Sequence, residues 1–417
     1  SMTGAQIGHG LEAARLVKQH SSAPVVWGGV HPSLAPRETA LSPFVDIVVV
    51  GEGEQTLPEI ARALKDGGPL SAVKGLCYRD GEHVRLTPER PFMNLDELPA
   101  VPYHLVDVGK YMFELNLPGP TLSMVGGRGC PHRCGFCYNA PFNRRRWRGR
   151  SPASVVREIR DLRSLGARNV FVVDDDFFCD PARAARICEM LLEEDLDVPI
   201  ITTCRADYIA RFDDSLLRLM GKCRFYVSIG VESGSPRMLE TIAKGITVEQ
   251  VLAANRRLTK SGVTFNFSFM AGFPGETWED IHKTIDLMTR LQDENPQARL
   301  TNLKIFTPLP GTDLLDLCIE HGHKPPTDLE GWVSYCHHEA NFRWGEERDL
   351  KLLEKISWLT YFLDGQQMKL AFGSSSLKRA FVSVYSRIAR LRCKRRWYRF
   401  MPEIDLMRFL FEKGLSG

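Results

Sequence analysis

Residues 126–139 read GGRGCPHRCGFCYN and place three cysteines, Cys130, Cys134 and Cys137, close together on one glycine-rich loop. Thiolates at this spacing suit an iron–sulfur cluster, and a four-iron cluster normally takes four cysteines. Three cysteines would leave one iron without a protein ligand and open to a small molecule. The alternative is a zinc site completed by His132 or a distant thiol, but no second Cys-x-x-Cys or histidine pair follows the loop.

The arrangement Cys130-x-x-x-Cys134-x-Phe136-Cys137 resembles the signature of the radical S-adenosylmethionine superfamily. In that family, S-adenosylmethionine chelates the open iron, and one electron from the cluster cleaves it to methionine and a 5′-deoxyadenosyl radical. The radical then removes a hydrogen atom from an unactivated carbon. The resemblance therefore implies a 4Fe–4S cluster held by the three cysteines, S-adenosylmethionine bound beside Phe136, and a protein that positions both and excludes solvent.

The composition is that of an ordinary multidomain protein. The 417 residues are 43% hydrophobic with a formal net charge of +3, so two or three cores are expected and the chain as a whole does not look like a nucleic-acid binder. The remaining cysteines are scattered singly, which predicts reduced, buried thiols in the cytoplasm. We expect no signal peptide, and no apolar run reaches the ~18 residues of a membrane span.

Short β-rich runs alternate with amphipathic helical stretches through the middle of the chain. The predicted strands are Thr121–Val125, Asn169–Asp174, Pro199–Cys204, Phe225–Val231, Thr264–Ala271 and Leu300–Phe306. The predicted helices are near Pro152–Leu165, Pro181–Glu193, Asp214–Gly221, Val248–Ser261 and Thr277–Leu291. This alternation predicts an α/β fold with parallel strands and crossover helices. Six strands fit the open (β/α)6 barrel that the resemblance implies, with active groups at the C-terminal strand ends.

The N-terminal residues predict a second α/β unit. A helix over Ala5–His20 precedes two short strands, at 23–27 and Val45–Val50, and a helix follows near Thr56–Leu64. Each strand runs into a glycine turn, at Gly28-Gly29 and at Gly51-Glu52. Strands that end in glycine turns between helices are typical of a doubly wound α/β domain, which binds its ligand at those ends.

This N-terminal unit resembles the C-terminal half of a cobalamin-binding domain. In that family, a Ser-x-Thr turn and a Gly-Gly turn approach the nucleotide tail of cobalamin, because a residue without a Cβ lets backbone come close. The resemblance implies cobalamin contacts at Thr3, Gly28, Gly29, Gly51 and Glu52. Ordinary tight turns remain the alternative for the glycines. Two strands are fewer than the ~5–6 of a usual doubly wound sheet, so we expect an incomplete domain whose retention of cobalamin is open.

Residues at the predicted barrel strand ends match further positions of the family. Asp174 and Asp175 would contact the amino group of S-adenosylmethionine, although acids there could instead cap the next helix. Glu232 would accept hydrogen bonds from ribose hydroxyls, and Lys244 would reach the methionine carboxylate; the alternative for each is a solvated surface charge. Arg205 could grip a carboxylate of the cofactor or of a substrate. Ser228 and Gly272 complete the predicted cofactor set.

Four regions are predicted: the C-terminal part of a cobalamin-binding domain at 1–67, a connector at 68–120, the radical S-adenosylmethionine barrel at 121–320 and a mostly helical region at 321–417. The connector carries a hairpin with strands near 75–79 and 83–85. Two basic runs stand out, at 142–150 and at 378–399, where nine basic residues occur without an acid. The second run could be a cap helix over the barrel, an interfacial membrane helix or a nucleic-acid patch.

The layout resembles the cobalamin-dependent class of radical S-adenosylmethionine enzymes, which includes the anaerobic magnesium-protoporphyrin monomethyl ester cyclase and related methyltransferases. The resemblance implies hydrogen-atom abstraction from a small-molecule substrate, followed by methyl transfer or oxidative cyclisation, with an external electron donor such as flavodoxin or ferredoxin. No nucleic-acid partner is expected, and a membrane surface is one reading of the basic C-terminal run. A methylthiotransferase is the rival enzyme, but Cys77 alone does not supply its second cysteine set. A zinc-stabilised RNA-binding module is the rival from another class.

Overall fold

The structure, a computed structural model, describes residues 3–335, 345–365 and 376–412, with the side chains of 376–379 and 410–412 left out. The chain divides into two compact units. The first comprises Ser1–Met93, Cys134–Arg144 and Phe306–Arg343, and the second comprises Asn94–Arg133, Arg145–Ile305 and Trp344–Gly417. Ser1 and Met2, which belong to the predicted cobalamin turn, lie outside the described residues. Cys336, one of the scattered cysteines, also lies outside them.

The first unit is built on a four-stranded sheet. Its strands in sheet order are β1 (Val26–Trp27), β2 (Ile47–Val49), β3 (Leu76–Asp80) and β4 (His83–Leu86). β1 and β2 are parallel, whereas β3 and β4 form the predicted hairpin, and β3 pairs antiparallel with β2. The helices are α1 (Ala5–His20), α2 (Val30–Leu34), α3 (Pro36–Leu41), α4 (Gly53–Asp66), α5 (Asn139–Asn143) and α13 (Asp313–Glu320).

Both faces of this sheet are covered. Val48 of β2 lies in a buried cluster with residues of α1 and with Trp332, whereas its neighbours Ile47 and Val49 lie in a second cluster with Ile60 of α4. Successive side chains of a strand point to opposite faces. Helices on both sides of a sheet with parallel strands are the arrangement of a doubly wound domain, as the sequence predicts.

The second unit is built on a seven-stranded sheet. Its strands are β5 (Phe113–Leu115), β6 (Leu117–Met124), β9 (Asn169–Val172), β10 (Ile200–Cys204), β11 (Tyr226–Glu232), β12 (Thr264–Ala271) and β13 (Arg299–Ile305), and a separate pair is formed by β7 (Gly127–Arg128) and β8 (Arg148–Gly149). The sheet order is β13-β12-β11-β10-β9-β6-β5. All neighbours are parallel except β5, which runs antiparallel to β6 at the edge. The six predicted strands are confirmed.

The crossover helices include five that begin within one residue of a predicted start and two, Ala206–Arg211 and Pro236–Thr241, that were not predicted. They are α6 (Pro152–Ser164), α7 (Pro181–Glu193), α8 (Ala206–Arg211), α9 (Asp214–Lys222), α10 (Pro236–Thr241), α11 (Val248–Leu258) and α12 (Trp278–Glu294). The side chain of Ser151 caps α6, and the Asp180 carboxylate accepts from Arg183 N at 3.0 Å to cap α7. Because Asp180 caps α7, the three acids Asp174–Asp176 that follow β9 are not needed for that task.

The C-terminal part of the second unit is helical. It contains α14 (Glu347–Thr360), α15 (Ser376–Arg395) and α16 (Pro402–Glu412), and α14 contacts the edge strand β13. Short 3₁₀ turns join other elements, among them Tyr103–Leu105, Glu330–Ser334 and Tyr361–Leu363. Among the described residues, no helix combines the length and the apolar character that crossing a bilayer requires.

Candidate cofactor site

Two consecutive acids hold the glycine-rich loop that leads to the first cysteine. Asp174 accepts a hydrogen bond from Gly126 N at 2.6 Å, and Asp175 accepts one from Gly129 N at 2.8 Å. Burial raises the pKa of Asp174 to about 7. The strand β9 ends before these acids, which therefore lie in the turn at its C-terminal end. Their predicted contact with S-adenosylmethionine stays a prediction, and the structure adds that they fix the backbone of the cysteine loop.

The third acid of the run, Asp176, joins the first cysteine to a polar network. Cys130 Sγ donates to Asp176 Oδ2 over 3.7 Å, and the Tyr208 hydroxyl donates to the same oxygen at 3.0 Å. His132 Nε2 lies 2.7 Å from that hydroxyl. Burial raises the pKa of Asp176 to about 6 and lowers the pKa of His132 to about 4. Sequence reasoning named His132 only as a ligand of the alternative zinc site. It did not select Tyr208, which carries no local signal for this site.

One ligand atom from each of Cys130, His132 and Asp176 lies within 4.8 Å of the others, close enough to hold a metal ion. These three residues correspond to the zinc site that was the alternative to an iron–sulfur cluster. It mixes one thiol with an imidazole and a carboxylate, whereas the sequence motif offers three thiols. All three motif thiols are half-buried and reduced, as cluster ligation requires.

A buried ion pair lies at the C-terminal end of β11. Lys244 Nζ donates to Glu232 Oε1 at 2.7 Å, and the two residues are 7% and 6% exposed. Glu232 is the last residue of β11 and has a φ of 69°, next to a register shift between β11 and β12. A residue other than glycine or asparagine in the left-handed region is uncommon and often marks a functional position. Both residues were predicted at the cofactor, and the structure brings them together.

Arg205 lies beside this pair, directly after β10. Its Nη2 donates to Lys244 O at 2.9 Å and to Gly245 O at 3.3 Å, while its Nε donates to Asp207 Oδ1 at 2.9 Å. These bonds hold the turn that carries Lys244. Because the Arg205 guanidinium donates hydrogen bonds to that turn and to Asp207, it positions the backbone of Lys244.

The two remaining barrel positions lie on β11 and after β12. Ser228 is half-buried in β11 and pairs in register with Thr203 and Asn266 of the neighbouring strands. Gly272 has a φ of 85°, and its N donates to Glu276 Oε2 at 2.5 Å. Phe273 N donates to the same oxygen at 3.1 Å. Burial raises the pKa of Glu276 to about 8.

Glu276 was not predicted, although its position in a Gly-Phe-Pro-Gly-Glu turn after a strand is a usable signal. It is 6% exposed and its carboxylate bridges the two backbone amides that open the turn. The structure therefore adds Glu276 as the residue that shapes the loop in which Gly272 was predicted to approach the adenine ring.

The second half of the cysteine motif belongs to the first unit. Cys137 N donates to Cys134 O at 3.1 Å, and Leu314 N of α13 donates to Gly135 O at 2.9 Å. Cys134 and Cys137 are half-buried thiols. The loop is therefore tied to α13 through its backbone.

The predicted cobalamin positions converge at the C-terminal ends of β1 and β2. Ser33 Oγ donates to Gly29 O at 2.6 Å and accepts from Gly51 N at 2.9 Å, so one serine of α2 links both glycine turns. Thr3 Oγ1 lies 3.0 Å from His31 Nδ1, also in α2. Burial lowers the pKa of His31 to about 4, so its imidazole is neutral.

The glycines of the two turns are required for different reasons. Gly29 and Gly51 have φ values of 104° and 86°, which other residues rarely adopt. A Cβ on Gly51 would meet no atom within 4 Å, whereas one on Gly28 would lie 3.4 Å from Val49 Cβ. The open space at Gly51 leaves room for a ligand against the backbone. Glu52 follows, and its Oε2 accepts from Met93 N at 3.4 Å.

Within the first unit, the helix after Gly29 packs against the helix after Cys137. These helices, α2 and α5, are in contact. Leu34 and Pro141 converge on Gly311, where a Cβ would lie 3.7 Å from Leu34 Cδ2 and 3.8 Å from Pro141 Cβ. The segments that follow the predicted cobalamin turn and the cysteine motif are thus joined in one packed unit.

A cavity of about 610 Å³ in the second unit adjoins the start of the cysteine motif. Its lining includes Pro131, His132 and Arg133 on one side, and Lys244 and Thr247 on the other. The cavity therefore opens between the residues next to Cys130 and the lysine of the buried ion pair.

Two of the five arginines in the basic run at 142–150 pair with acids. Arg144 pairs with Glu89 at 2.7 Å in the first unit, and Arg150 pairs with Glu158 in the second. Tyr103 donates to Glu158 at 2.9 Å. These pairs agree with a structural role for the two arginines at the ends of the run.

Comparisons with known proteins match this geometry. Residues 124–288 match the radical SAM superfamily, and residues 1–61 match the B12 binding domain. An uncharacterized methyltransferase of Pyrococcus horikoshii is 35% identical over 300 residues, which are 71% of this chain and 63% of the relative. The anaerobic magnesium-protoporphyrin IX monomethyl ester cyclase of Rubrivivax gelatinosus is 29% identical over 297 residues, which are 69% of this chain and 52% of the relative. The chain therefore spans less than two thirds of the length of either relative.

Among solved structures, the cobalamin-dependent S-adenosylmethionine radical enzyme OxsB, with aqua-cobalamin and S-adenosylmethionine bound, superposes with a TM-score of 0.73 at 18% identity. The match covers 100% of this chain and 66% of that one and shows the shared fold. A parallel barrel with a three-cysteine loop defines the class as radical S-adenosylmethionine enzymes. With its B12 binding domain, the chain belongs to the cobalamin-dependent family of that class. Its cofactors are a 4Fe–4S cluster, S-adenosylmethionine and cobalamin.

The residues present fit these three groups. Three accessible thiols suit a cluster with one open iron. The buried Glu232–Lys244 pair supplies an acceptor and a cation for a nucleotide with an amino-acid tail. The glycine turns at the ends of β1 and β2 offer exposed backbone to a large planar ligand. The matches favour neither the methylthiotransferase nor the RNA-binding module.

Proposed function

We propose that this chain transfers a methyl group to a poorly activated carbon of a small-molecule substrate, with oxidative cyclisation as the second candidate. Methyl transfer is placed first because the relative at 35% identity is named a methyltransferase. Cyclisation is kept because the relative at 29% identity is named a cyclase. The substrate itself is not indicated by any motif in the chain.

The observation that carries the proposal is the packing of α2 against α5 within the first unit. α2 begins directly after the Gly28-Gly29 turn, and α5 begins two residues after Cys137. A radical reaction that also uses cobalamin needs both cofactors fixed to one substrate, because reacting atoms must be held close and aligned. Two cofactor-bearing segments joined in one packed unit support such a reaction.

When bound, the cluster with S-adenosylmethionine would supply a radical that removes a hydrogen atom, and cobalamin would supply the methyl group. The residues of the chain would position these groups and exclude solvent from them. Cys130, Cys134 and Cys137 would hold the cluster, while Asp174 and Asp175 fix the loop before Cys130 through its amides.

The nucleotide would be oriented by the buried charges of the barrel. Glu232 would accept from its ribose hydroxyls, and Lys244 would bind its carboxylate. Arg205 holds the backbone of Lys244 in place at 2.9 Å, so the lysine needs little reorganisation when the ligand arrives. Ser228, Phe136 and Gly272 would complete the contacts to this ligand.

The turns of the first unit would bind cobalamin. Thr3, Gly28, Gly29, Gly51 and Glu52 would line it, since Ser33 and His31 of α2 tie these positions together. Reduction of the cluster would come from an external donor such as flavodoxin or ferredoxin. A cytoplasmic location with little oxygen suits a cluster with one open iron.

The test is anaerobic reconstitution with iron, sulfide, cobalamin, S-adenosylmethionine and a strong reductant. Formation of 5′-deoxyadenosine together with S-adenosylhomocysteine supports methyl transfer, whereas 5′-deoxyadenosine alone supports cyclisation or another radical route. Protein that binds stoichiometric zinc and little iron, or that leaves S-adenosylmethionine intact with a full cluster, contradicts the proposal. Cys137→Ala should abolish nucleotide cleavage, and Cys179→Ala, at a half-buried thiol outside the motif, is its matched control.

A further inference from the structure

The C-terminal helix α15 presents large apolar side chains to solvent. Phe381, Val384, Ile388 and Leu391 are 50%, 61%, 40% and 44% exposed. Their spacing of three and four residues places them on one face of the helix. We call these four residues the apolar stripe. Contiguous exposed apolar surface of this kind usually marks an interaction site.

The opposite face of α15 is firmly packed. Val382, Tyr385, Ala389 and Cys393 are at most 5% exposed. Tyr385 meets Phe362 edge-on with ring centroids 4.7 Å apart, and α15 contacts both α12 and the turn Tyr361–Leu363. The helix is therefore anchored by one face, and the apolar stripe belongs to an ordered surface of the second unit.

The seven basic residues of this segment whose side chains are described fall into two groups. Arg390, Arg392, Lys394 and Arg396 pair with acids of the same unit, namely Asp293, Glu403 and Asp286. In contrast, Arg387, Arg395 and Arg399 are exposed and take part in no ion pair within the described part of the chain.

Two residues of the second group border the apolar stripe. Arg387 lies three residues after Val384 and four before Leu391, and Arg395 lies four residues after Leu391. Residues three and four apart are neighbours on a helix surface. No acid occurs between residues 378 and 399, so α15 itself contributes only positive charge to this border.

Two aromatic residues extend the surface beyond the end of α15. Trp397 and Phe400 are 53% and 69% exposed. Apolar side chains on one face, cations at its edge and an exposed tryptophan are the features of helices that lie in the membrane interface. Binding to single-stranded nucleic acid relies on stacking of bases on aromatic rings, whereas three of the four stripe residues are aliphatic.

We infer that the apolar stripe of α15 docks on an anionic lipid surface. The stripe would enter the headgroup region, and Arg387, Arg395 and Arg399 would pair with lipid phosphates. The helix would lie on the membrane surface without crossing the bilayer, because its opposite face is packed against the second unit. This inference does not depend on the chemistry proposed for the barrel.

The test is cosedimentation of the full chain with vesicles of phosphatidylcholine, with and without phosphatidylglycerol. Binding is expected with the anionic vesicles and should weaken with added salt, because screening reduces the attraction. The double variant Ile388→Ser/Leu391→Ser should lower the affinity at least about tenfold, since two aliphatic side chains no longer enter the interface. Arg387→Gln/Arg395→Gln should lower it by a similar factor.

Leu105→Ser is the matched control, because Leu105 is 71% exposed in the same unit but far from α15 in sequence. It should bind vesicles as the parent does, and all variants should keep the parent's circular dichroism and melting temperature. Absence of binding to either vesicle, equal binding to neutral and anionic vesicles, or binding that survives both double variants overturns the inference. A salt-sensitive complex with an RNA oligonucleotide in place of lipid, or a dimer that Ile388→Ser disrupts, also overturns it.

Discussion

The two strand-end regions proposed to bind cofactors are built by different means. In the barrel, a charged side chain at the end of β11 is buried against one from the turn after α10, as Glu232 is against Lys244 at 2.7 Å. In the first unit, glycine turns form the candidate site, and Ser33 hydrogen-bonds to both turns. Buried charges depend on their partners, whereas a glycine turn depends only on its own conformation. Substitutions should therefore cost much more in the barrel than in the turns.

The largest effect is expected for Lys244→Met. It leaves the Glu232 carboxylate buried without its cation, which should lower the free energy of unfolding by about 3–5 kcal/mol. Chemical denaturation under anaerobic conditions measures the loss. The double variant Glu232→Gln/Lys244→Met removes both charges and should recover most of that stability. A double variant no more stable than Lys244→Met would show that the two charges are not coupled.

The next effect concerns pH and Glu276. Burial raises the pKa of this carboxyl to about 8 from 4.5, so the folded state holds a proton that the unfolded state releases. Stability should be fully present below pH 4.5 and fall as the pH rises towards 8, by on the order of 3 kcal/mol. Glu276→Gln keeps an oxygen for the amides of Gly272 and Phe273 and should remove this fall. Parallel stability curves for parent and variant from pH 5 to 8 would contradict the assignment.

A smaller effect is expected for Tyr208→Phe. The change deletes the hydroxyl that donates to Asp176 at 3.0 Å and lies 2.7 Å from His132. A lost hydrogen bond to a buried acid should cost about 1–2 kcal/mol. The visible spectrum of the reconstituted cluster should shift as well, because Asp176 also contacts Cys130. Tyr226→Phe, at a buried tyrosine of β11 outside this network, should leave the spectrum unchanged.

The sequence predicted the barrel well because its central strands, β9 to β12, are largely buried. Such strands read as nearly continuous apolar runs, and each of the six predicted ones overlaps an observed strand. Local signals also located the helix starts, as Ser151 shows with its side-chain cap on α6. The pairing of the hairpin β3–β4 with β2 was not predicted, because register between separate segments leaves no local pattern.

The site was predicted only in part for the same reason. Cys130, Glu232 and Lys244 stand in motifs, whereas the ion pair between the last two was not predicted. Tyr208 is 76 positions from His132 in the sequence, and nothing around it indicates their contact. Side-chain networks between distant segments can be identified only from a structure, whereas turns and strand ends can be predicted from the order of residues.

An effect of similar size, and the sharpest test of the glycine turns, is expected for Gly51→Ala. Its φ of 86° is costly for alanine, by about 1–2 kcal/mol, although a Cβ there would meet no atom within 4 Å. Gly67→Ala is a matched control, since Gly67 has a φ of 68°, equally open surroundings and a place at the far end of α4. Both variants should lose similar stability in thermal melts. If the Gly51 turn faces cobalamin, only Gly51→Ala should weaken cobalamin binding, measured by spectral titration of the full chain. Equal binding by both variants would place the ligand elsewhere and leave Gly51 as an ordinary turn.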